Sequence, residues 1–391
     1  MQNQQDFIVF GAPQIEQAEI DEVIDSMQAA WLGTGSKVAR FEREFANYKG
    51  LQSDHVAATN SCTAALHISM IAAGLAPGDE VITTALTFCA TVNAIIHTGA
   101  TPVLVDVEPG SMNMDPRAVE AAITERTRAI IPVHFAGRSC DMDALMSIAR
   151  KHHLKVIEDC AHAIESEYHG QKTGTFGDFG CFSFYATKNI TTGEGGMVVA
   201  QDEHDIARIK VLALHGMSKD AWHRFGDEGY KHYLVTEAGF KYNMMDIQAA
   251  IGIHQLERIE RNWQKRQALW GTYQQAFAGL PVTCPEEAEA DTRHAYHLYT
   301  LLIDEAHTGF SRDAFLERMT LAGVGVGVHY LSIPEHPYYQ QHFGWRPEDY
   351  PHAMRVGRQT VSLPLSAKLN DSEIARTIAA VDRALHGKSR L

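Results

Sequence analysis

The feature that most limits the fold is an alternation of short apolar runs with helical patterns through the first half of the chain. The segment 141–153 carries Leu145, Ile148 and Ala149 on one face of a predicted helix. Between such helices, runs rich in β-branched residues predict strands at 55–58, 80–83, 102–106, 129–134, 155–159, 181–185 and 197–200. Alternating strands and helices predict an α/β domain with a mainly parallel sheet.

The second half of the chain has a different pattern. A long helical pattern without proline covers 246–277, and Pro281 and Pro285 follow it. After it come a strand-like segment, a helix capped by Ser311 and a last helix, at 297–303, from 311 and at 371–385, with the run 323–330 between the two helices. We therefore predict a large domain at 1–250, then a linking helix and a small α+β domain at 251–391.

Charge and cysteine usage exclude several classes of partner. The formal net charge of -14 argues against nucleic acid, whose binding needs clustered Lys and Arg. No stretch is apolar for long enough to span a bilayer, and the N-terminus lacks a basic start before an apolar run, so we expect no membrane partner. The six cysteines show no C-x-x-C spacing, which predicts a soluble cytoplasmic protein without a metal site built on cysteine.

A lysine and an aspartate stand where two predicted strands end. Lys188 follows the run 181–185, and at the mouth of a sheet desolvation would lower its pKa and leave a neutral amine able to form a Schiff base. Asp159 ends an earlier strand and could hold the protonated ring nitrogen of pyridoxal phosphate (PLP) by a bond worth roughly 1.5–3 kcal/mol. A surface lysine and a turn or capping aspartate are the alternatives.

Other residues could complete a coenzyme site. His162 could stack on the ring or bond its phenolic oxygen, and Phe88 could cover the other face. The segment 60–65 lies between a strand and a helix, so free amides with the hydroxyls of Ser61 and Thr63 suit a phosphate, and Ser183 could add a donor. The alternatives are a structural histidine, core packing of the phenylalanine and ordinary helix capping.

Taken together, these segments resemble the DegT-type sugar aminotransferases, which are fold-type I PLP enzymes. The resemblance runs nearly end to end, and its most specific mark is Lys188 with the Thr-Gly-Glu-Gly-Gly that follows it. It implies a Schiff base on Lys188, a ring-nitrogen contact from Asp159 and further contacts to the ring and phosphate. The ring contacts would be His162 and Phe88, and the phosphate contacts Thr63, Ala64 and Ser183.

The same resemblance implies a homodimer with shared active sites, in which the segment 239–246 reaches the partner's coenzyme. Many members read Gly-x-Asn-x-Arg there, whereas this chain has Lys241 and Asn243 at the two polar positions. Both can donate a hydrogen bond but only Lys241 is charged, so the phosphate contact stays open between them. This form is similar to the subgroup that includes UDP-4-amino-4-deoxy-L-arabinose aminotransferase, as are His215, Gly216, Ala221, Trp222 and Arg224.

The reaction that the resemblance implies moves an amino group from L-glutamate to a nucleotide-linked keto sugar, for amino-sugar and polysaccharide synthesis. A keto group at C4 is favoured, and C3 stays open as the alternative. By the same likeness, the substrate pocket would be bordered by His329, Tyr330, Trp31 and Thr34. The competing hypotheses are a PLP-dependent sugar dehydratase, which carries histidine in place of the lysine, and a noncatalytic PLP-binding regulator. A nicotinamide enzyme lacks support, because no Gly-x-Gly-x-x-Gly follows the first strand.

Overall fold

A seven-stranded sheet lies at the centre of the computed structural model, which describes residues 7–217 and 232–386. Ala221, Trp222 and Arg224 lie outside the described residues. The strands are β1 (Val56–Thr59), β2 (Glu80–Thr84), β3 (Thr101–Val105), β4 (Thr127–Ile131), β5 (Lys155–Asp159), β8 (Phe179–Ser183) and β9 (Gly196–Ala200); a small hairpin, β6 (Glu167–Tyr168) and β7 (Gln171–Lys172), intervenes. Their order in the sheet is β1-β9-β8-β5-β4-β2-β3.

The sheet is mainly parallel, which confirms the predicted fold class. Parallel pairs join β2 to β3 and β4, β4 to β5, and β5 to β8, whereas β9 runs antiparallel to both β1 and β8. Asp159 therefore ends β5 at the same edge where Ser183 ends β8 and Gly196 begins β9. The segments that follow β1, β2, β5 and β8 all meet at this edge, as ligand-binding segments do in open α/β sheets.

Helices cover both faces of the sheet. They are α1 (Gln17–Gln28), α2 (Ser36–Lys49), α3 (Cys62–Ala72), α4 (Cys89–His97), α5 (Pro116–Ala122), α6 (Met142–His152) and α7 (Glu203–Leu212). On one face, Leu66 and Ile68 of α3 pack with Ile209 of α7, and on the other Phe41 and Phe45 of α2 pack around the sheet. The rigid three-layer core fixes where the strand ends lie.

The long pattern at 246–277 forms two helices, not the single helix that was predicted. They are α8 (Asp246–Glu257) and α9 (Ile259–Phe277), and Arg258 between them leaves the helical region with φ -107 and ψ 13. The Arg258 guanidinium donates to the Gln14 carbonyl and pairs with the buried Glu19. Because these partners lie some 240 positions earlier in the chain, the local sequence pattern could not reveal the break.

The C-terminal part is built on a two-stranded sheet, β11 (Tyr299–Leu302) with β12 (Thr360–Leu363). Its other elements are β10 (Thr292–Arg293), which joins the hairpin, and α10 (Glu305–Thr308), α11 (Arg312–Leu321), α12 (Pro337–Phe343), α13 (Pro351–Gln359) and α14 (Asp371–His386). Ser311 caps α11, as predicted, by accepting the Ala314 N–H. Residues of α9, α11 and α14 share one apolar core here, and the division at residue 250 stays a prediction.

Transmembrane character can be checked on the helices themselves. None of the described helices combines the length and the apolar composition that crossing a bilayer requires.

Candidate active site

A cavity of about 550 Å³ opens at the carboxyl edge of the sheet. This volume suits a small molecule or coenzyme. Its walls come from the segments after β1, β2, β5 and β8 and from the C-terminal run 329–330. Eight of the residues singled out from the sequence line it together: Ser61, Thr63, Phe88, Asp159, Ser183, Lys188, His329 and Tyr330.

Lys188 stands in the loop between β8 and β9. Its backbone N–H donates to the Tyr185 carbonyl at 2.9 Å, which closes a turn just beyond the strand. The side chain is partly exposed to the cavity but surrounded by protein, and this burial lowers the pKa of Lys188 to about 8. Among the described residues its ammonium has no hydrogen-bond or ion-pair partner, so a neutral amine is available to an electrophile near neutral pH.

Asp159 reaches the cavity, and its carboxylate accepts fewer hydrogen bonds than it could. Its Oδ1 accepts the Ala161 N–H at 3.1 Å, and its Oδ2 accepts the Thr91 hydroxyl at 2.8 Å. The Thr91 oxygen in turn lies 2.8 Å from that of Thr87, whose hydroxyl is left as the donor. Burial raises the pKa of Asp159, and the two hydrogen bonds oppose that rise. A cationic N–H donor in the cavity would supply the missing partner.

Glu158 precedes Asp159 on β5 and faces the other way. Its two oxygens accept the N–H groups of Gly174, Phe176 and Gly177 at 2.7–2.8 Å, and His134 Nε2 lies 3.0 Å away. The buried groups of His134, Glu158 and Cys160 could in principle bind a metal. However, His134 Nδ1 accepts the Cys140 N–H, so its Nε2–H donates to Glu158, and both residues are already engaged by protein groups.

The N-terminus of α3 borders the cavity. Ser61 caps this helix, because its Oγ accepts the Ala64 N–H at 3.1 Å. The Ala64 amide is therefore used by the cap and Ala64 does not line the cavity, whereas Ser61 lines it and keeps its hydroxyl proton as a donor. Thr63 and Ser183 do line it. At Gly196 a Cβ would come within 2.5 Å of the Ser61 carbonyl carbon, so only glycine lets β9 approach α3 so closely. The helix dipole and the hydroxyls together suit an anion.

His162 does not line the cavity but reaches it through Tyr330. The Ala136 N–H donates to His162 Nδ1 at 3.2 Å, so the ring proton of the neutral histidine sits on Nε2. Burial, and secondarily Lys188, lowers the pKa of His162 well below its usual range. Nε2–H therefore donates to the Tyr330 oxygen at 2.8 Å. The hydroxyl proton of Tyr330 is left free to point elsewhere, and Tyr330 lines the cavity.

Two further predicted residues flank this pair. Phe88, the N-cap of α4, is 55% exposed, and its ring lies 5.7 Å from that of Tyr330. An aromatic face so exposed at a cavity suits stacking on a flat ring. His329 Nδ1 lies 2.8 Å from the Ser362 hydroxyl, and burial, with Lys188 adding to it, lowers the pKa of His329 to about 4.

The remaining predicted residues lie outside this cavity. Trp31, which is 50% exposed, donates from Nε1 to the Thr34 carbonyl. The Asn243 amide donates to the Thr34 hydroxyl at 2.6 Å, and both residues line a separate surface cavity of about 400 Å³. Lys241 is exposed, and its carbonyl accepts the Asn60 side chain. The structure thus brings Thr34 and Asn243 together, but not into the Lys188 cavity of the same chain.

Comparison with known proteins identifies the chain. The model of the DegT/DnrJ/EryC1/StrS aminotransferase family matches residues 13–382. The chain belongs to this family. It is a PLP-dependent sugar aminotransferase, and a lysine, an aspartate and a helix N-terminus at the cavity fit such a coenzyme.

Similar proteins cover almost the whole chain. A Bacillus subtilis protein named spore coat polysaccharide biosynthesis protein SpsC is 45% identical over 388 residues, 99% of each chain. Spr1654 of Streptococcus pneumoniae, provisionally described as a sugar aminotransferase, has a PLP-form structure with a TM-score of 0.88 and 32% identity, covering 97% and 100% of the two chains. Helicobacter pylori PseC, an aminotransferase involved in the biosynthesis of pseudoaminic acid, gives 0.89 and 29%, covering 97% and 99%.

Two residues at or near the cavity were not assigned a role from the sequence. Thr91 bonds the buried Asp159, and Asn189 joins Lys188 to a buried ion pair described below. A hydroxyl early in a helix looks like an ordinary helix residue, and an asparagine in a loop looks like a turn residue. For Asn189 the available signal was its position beside the lysine.

Proposed function

We propose that this DegT-family enzyme transfers an amino group from L-glutamate to a nucleotide-linked sugar with a keto group at C4. The product would be an amino-sugar nucleotide for polysaccharide synthesis. Two relatives support the setting by their names, one in spore coat polysaccharide biosynthesis and one in the biosynthesis of pseudoaminic acid. Lys188 speaks against the sugar dehydratase hypothesis, in which histidine stands at this position.

One observation carries the proposal. Lys188 lines a 550 Å³ cavity together with Asp159, and burial lowers the pKa of Lys188 to about 8. An amine of that pKa is largely protonated at pH 7 yet has an appreciable neutral fraction, whereas an ordinary lysine has almost none. Such a group can act as a nucleophile and as a base in the same site.

The roles of the side chains follow from their geometry. When bound, PLP would supply a carrier for the amino group and an electron sink for negative charge at the donor α-carbon. Lys188 would hold the coenzyme, and once released would carry the proton to and from the α-carbon. Asp159 would bond the ring nitrogen, and Thr63 and Ser183 would hold the phosphate beside α3. Because Tyr330 accepts a hydrogen bond from His162, its own hydroxyl proton is free, and Tyr330 would donate it to a substrate oxygen. His329 lies beside it.

The test is a single-turnover reaction. We expect the purified enzyme to show the visible band of bound PLP and to lose it on mixing with L-glutamate. Lys188→Ala should lose turnover by at least about 10³-fold, since it removes both nucleophile and base. Lys155→Ala, which removes a surface lysine paired with Asp178, serves as the control and should keep the wild-type rate.

The acceptor is tested separately on the aminated enzyme. UDP-, dTDP- and GDP-linked 4-keto sugars should restore the visible band, whereas the corresponding 4-hydroxy sugars should not. If the band bleaches with glutamate but no 4-keto sugar restores it, the acceptor class is wrong. If no amino donor bleaches it, aminotransfer itself is wrong.

We also propose a homodimer with shared active sites, in a reducing, cytoplasmic setting. Thr34, Lys241 and Asn243 lie outside their own chain's Lys188 cavity, as residues that serve a second site would. Exposed apolar side chains flank this region, among them Trp31 and Met245, and α1 exposes an apolar stripe; its members are Ile20, Ile24 and Met27. Exposed apolar area of this kind suits a protein partner. All six cysteines are free thiols, which fits a reducing compartment.

Mixing two defective variants tests whether each active site contains residues of both subunits. Lys188→Ala and Lys241→Ala would each impair every site of their own homodimer. A mixed dimer would place both defects in one site and leave the other intact, so unfolding and refolding the mixture should restore activity. The same experiment with Asn243→Ala decides which residue contacts the partner's phosphate. Failure of both mixtures, with dimers confirmed by light scattering, would reject shared sites.

A further inference from the structure

Asn189, the residue after Lys188, has its carboxamide held by three protein groups. Its Nδ2 donates to Glu165 Oε2 at 2.7 Å and to the Ala295 carbonyl at 3.0 Å. Its Oδ1 lies 2.9 Å from His297 Nδ1. An amide that makes three bonds within protein cannot rotate without breaking at least one of them. The backbone at position 189, and with it the neighbouring lysine, is therefore held in place.

Behind Asn189 lies a buried ion pair. Glu165 is 0% exposed and Arg266 is 2% exposed, and the Arg266 guanidinium bonds Glu165 Oε1 while Oε2 is left for Asn189. Arg266 belongs to α9, whose later residues Leu269 and Tyr273 pack in the core of the C-terminal part. The chain of bonds thus connects the lysine loop to the helix that enters the C-terminal core.

The third bond has a defined direction. Because both Asn189 N–H groups donate elsewhere, its oxygen must accept, and His297 donates from Nδ1–H. Burial, with Lys188 as the next cause, lowers the pKa of His297 well below its usual range, so the ring is neutral. The His297 ring lies 4.4 Å from that of His162, which bonds Tyr330 at the cavity. Asn189 is therefore connected to the ion pair behind the lysine and, through the two histidine rings, to Tyr330 at the cavity.

We propose that Asn189 is a positioning residue, which aims the Lys188 amine by anchoring its backbone to the Glu165–Arg266 pair and to His297. This rests on the proposed function of Lys188 as the residue that holds the coenzyme. Asn189 lines a separate small cavity behind the lysine and not the coenzyme cavity, so it acts through its neighbour. A displacement of the amine by about 1 Å costs roughly 10²-fold in rate.

The test compares the coenzyme's geometry with the rate of reaction. In PLP-loaded Asn189→Ala we expect an altered visible circular dichroism band, because this band reports the orientation of the bound coenzyme. The rate of the half-reaction with L-glutamate should fall by about 10–100-fold. The glutamate KM should change less than about threefold, because no contact with the donor is removed. A merely structural role would lower the melting temperature and leave both the band and the rate of the folded enzyme unchanged.

A matched control separates positioning from general loss of packing. Asn113 is another asparagine with three hydrogen bonds, to Phe135, Arg138 and Ser139, and it does not line the coenzyme cavity. Asn113→Ala should lower the melting temperature while the circular dichroism band and the half-reaction stay as in the wild type. If Asn189→Ala behaves in the same way as this control, the positioning role is rejected.

An exchange of groups tests the connection to the ion pair. Glu165→Gln alone leaves Arg266 buried without its charge partner and could fail to fold. Combining it with Asn189→Asp keeps one carboxylate and one carboxamide between the same residues. We expect the double variant to recover at least about tenfold of the rate lost in Asn189→Asp; no recovery would overturn the role of the pair. A wild-type enzyme that does not react with any amino donor would instead reject the proposed function.

Discussion

Glu158 and Asp159 are neighbours on β5, yet the protein treats the two carboxylates in opposite ways. Glu158 is fully buried and accepts four donors, three of them backbone N–H groups from the segment 174–177. Asp159 accepts only two, from Thr91 and Ala161, and lines the cavity. Because successive side chains of a strand point to opposite faces, one acid holds a loop and the other is left for a ligand. A buried acid with unused acceptor capacity is the better guide to a site.

Of the two acids, the one that is incompletely bonded should have the larger effect on coenzyme binding and on the reaction. Asp159→Asn removes the carboxylate that would bond the protonated ring nitrogen, an interaction worth roughly 1.5–3 kcal/mol. We expect PLP affinity and the half-reaction with glutamate each to fall by at least about 10–100-fold. The melting temperature of the coenzyme-free protein should stay within about 2 °C of the wild type, as calorimetry would show. A large loss of stability would mean that Asp159 is structural too.

Glu158 should show the opposite pattern, with a loss of stability and little change in PLP affinity. Glu158→Gln places an amide NH₂ against N–H donors and leaves backbone groups without an acceptor, so the free energy of unfolding should fall by roughly 2–4 kcal/mol. Urea denaturation of the coenzyme-free protein measures this. At temperatures where the variant is folded, PLP affinity should remain within about threefold of the wild type. If affinity fell as far as in Asp159→Asn, the contrast between the two acids would be lost.

The smallest effect should be a shift in the pH dependence of PLP capture by Lys188. Capture of PLP needs the neutral amine, and burial lowers the pKa of Lys188 from 10.5 to about 8, while the Asp159 charge opposes this decrease. In the coenzyme-free enzyme the capture rate should therefore rise with pH, reach half its maximum near pH 8 and level off above about pH 9. Asp159→Asn removes a charge that favours the ammonium form, so the midpoint of the rise should move to lower pH, whereas Glu158→Gln should keep it near 8. Stopped-flow absorbance across pH 6–10 follows the rate.

Strand positions were largely predictable because strands that are buried on both faces have continuous apolar sequences. The segment 155–159 was predicted with the bounds that β5 has, since Val156 and Ile157 stand between a helix end and two acids. The break at Arg258 was not predictable, because the contacts that Arg258 makes there, with Glu19 and Gln14, come from a distant part of the chain. Local patterns report burial, whereas tethers of this kind depend on the assembled fold.

The candidate site likewise has residues that could be predicted from the sequence and residues whose role only the structure shows. Lys188 and Asp159 could be singled out because chemistry-bearing residues at strand ends are unusual, and the structure places both at one cavity. The structure also shows what no spacing could, namely that His162 stands behind Tyr330 and that Ala64 is used by the helix cap. These assignments depend on the direction of single hydrogen bonds, which composition and periodicity do not encode.

The antiparallel orientation of β9 has a consequence for how the site forms during folding. The chain leaves β8 at Ser183 and re-enters the sheet at Gly196 on the same edge, and Phe184 bonds both Gly195 and Thr192 across the loop. The lysine loop is thus closed by contacts between residues close in sequence, which form fast. The bond between Thr34 and Asn243 joins residues 209 positions apart. We expect amide protons near Lys188 to gain protection earlier in refolding than those around Thr34.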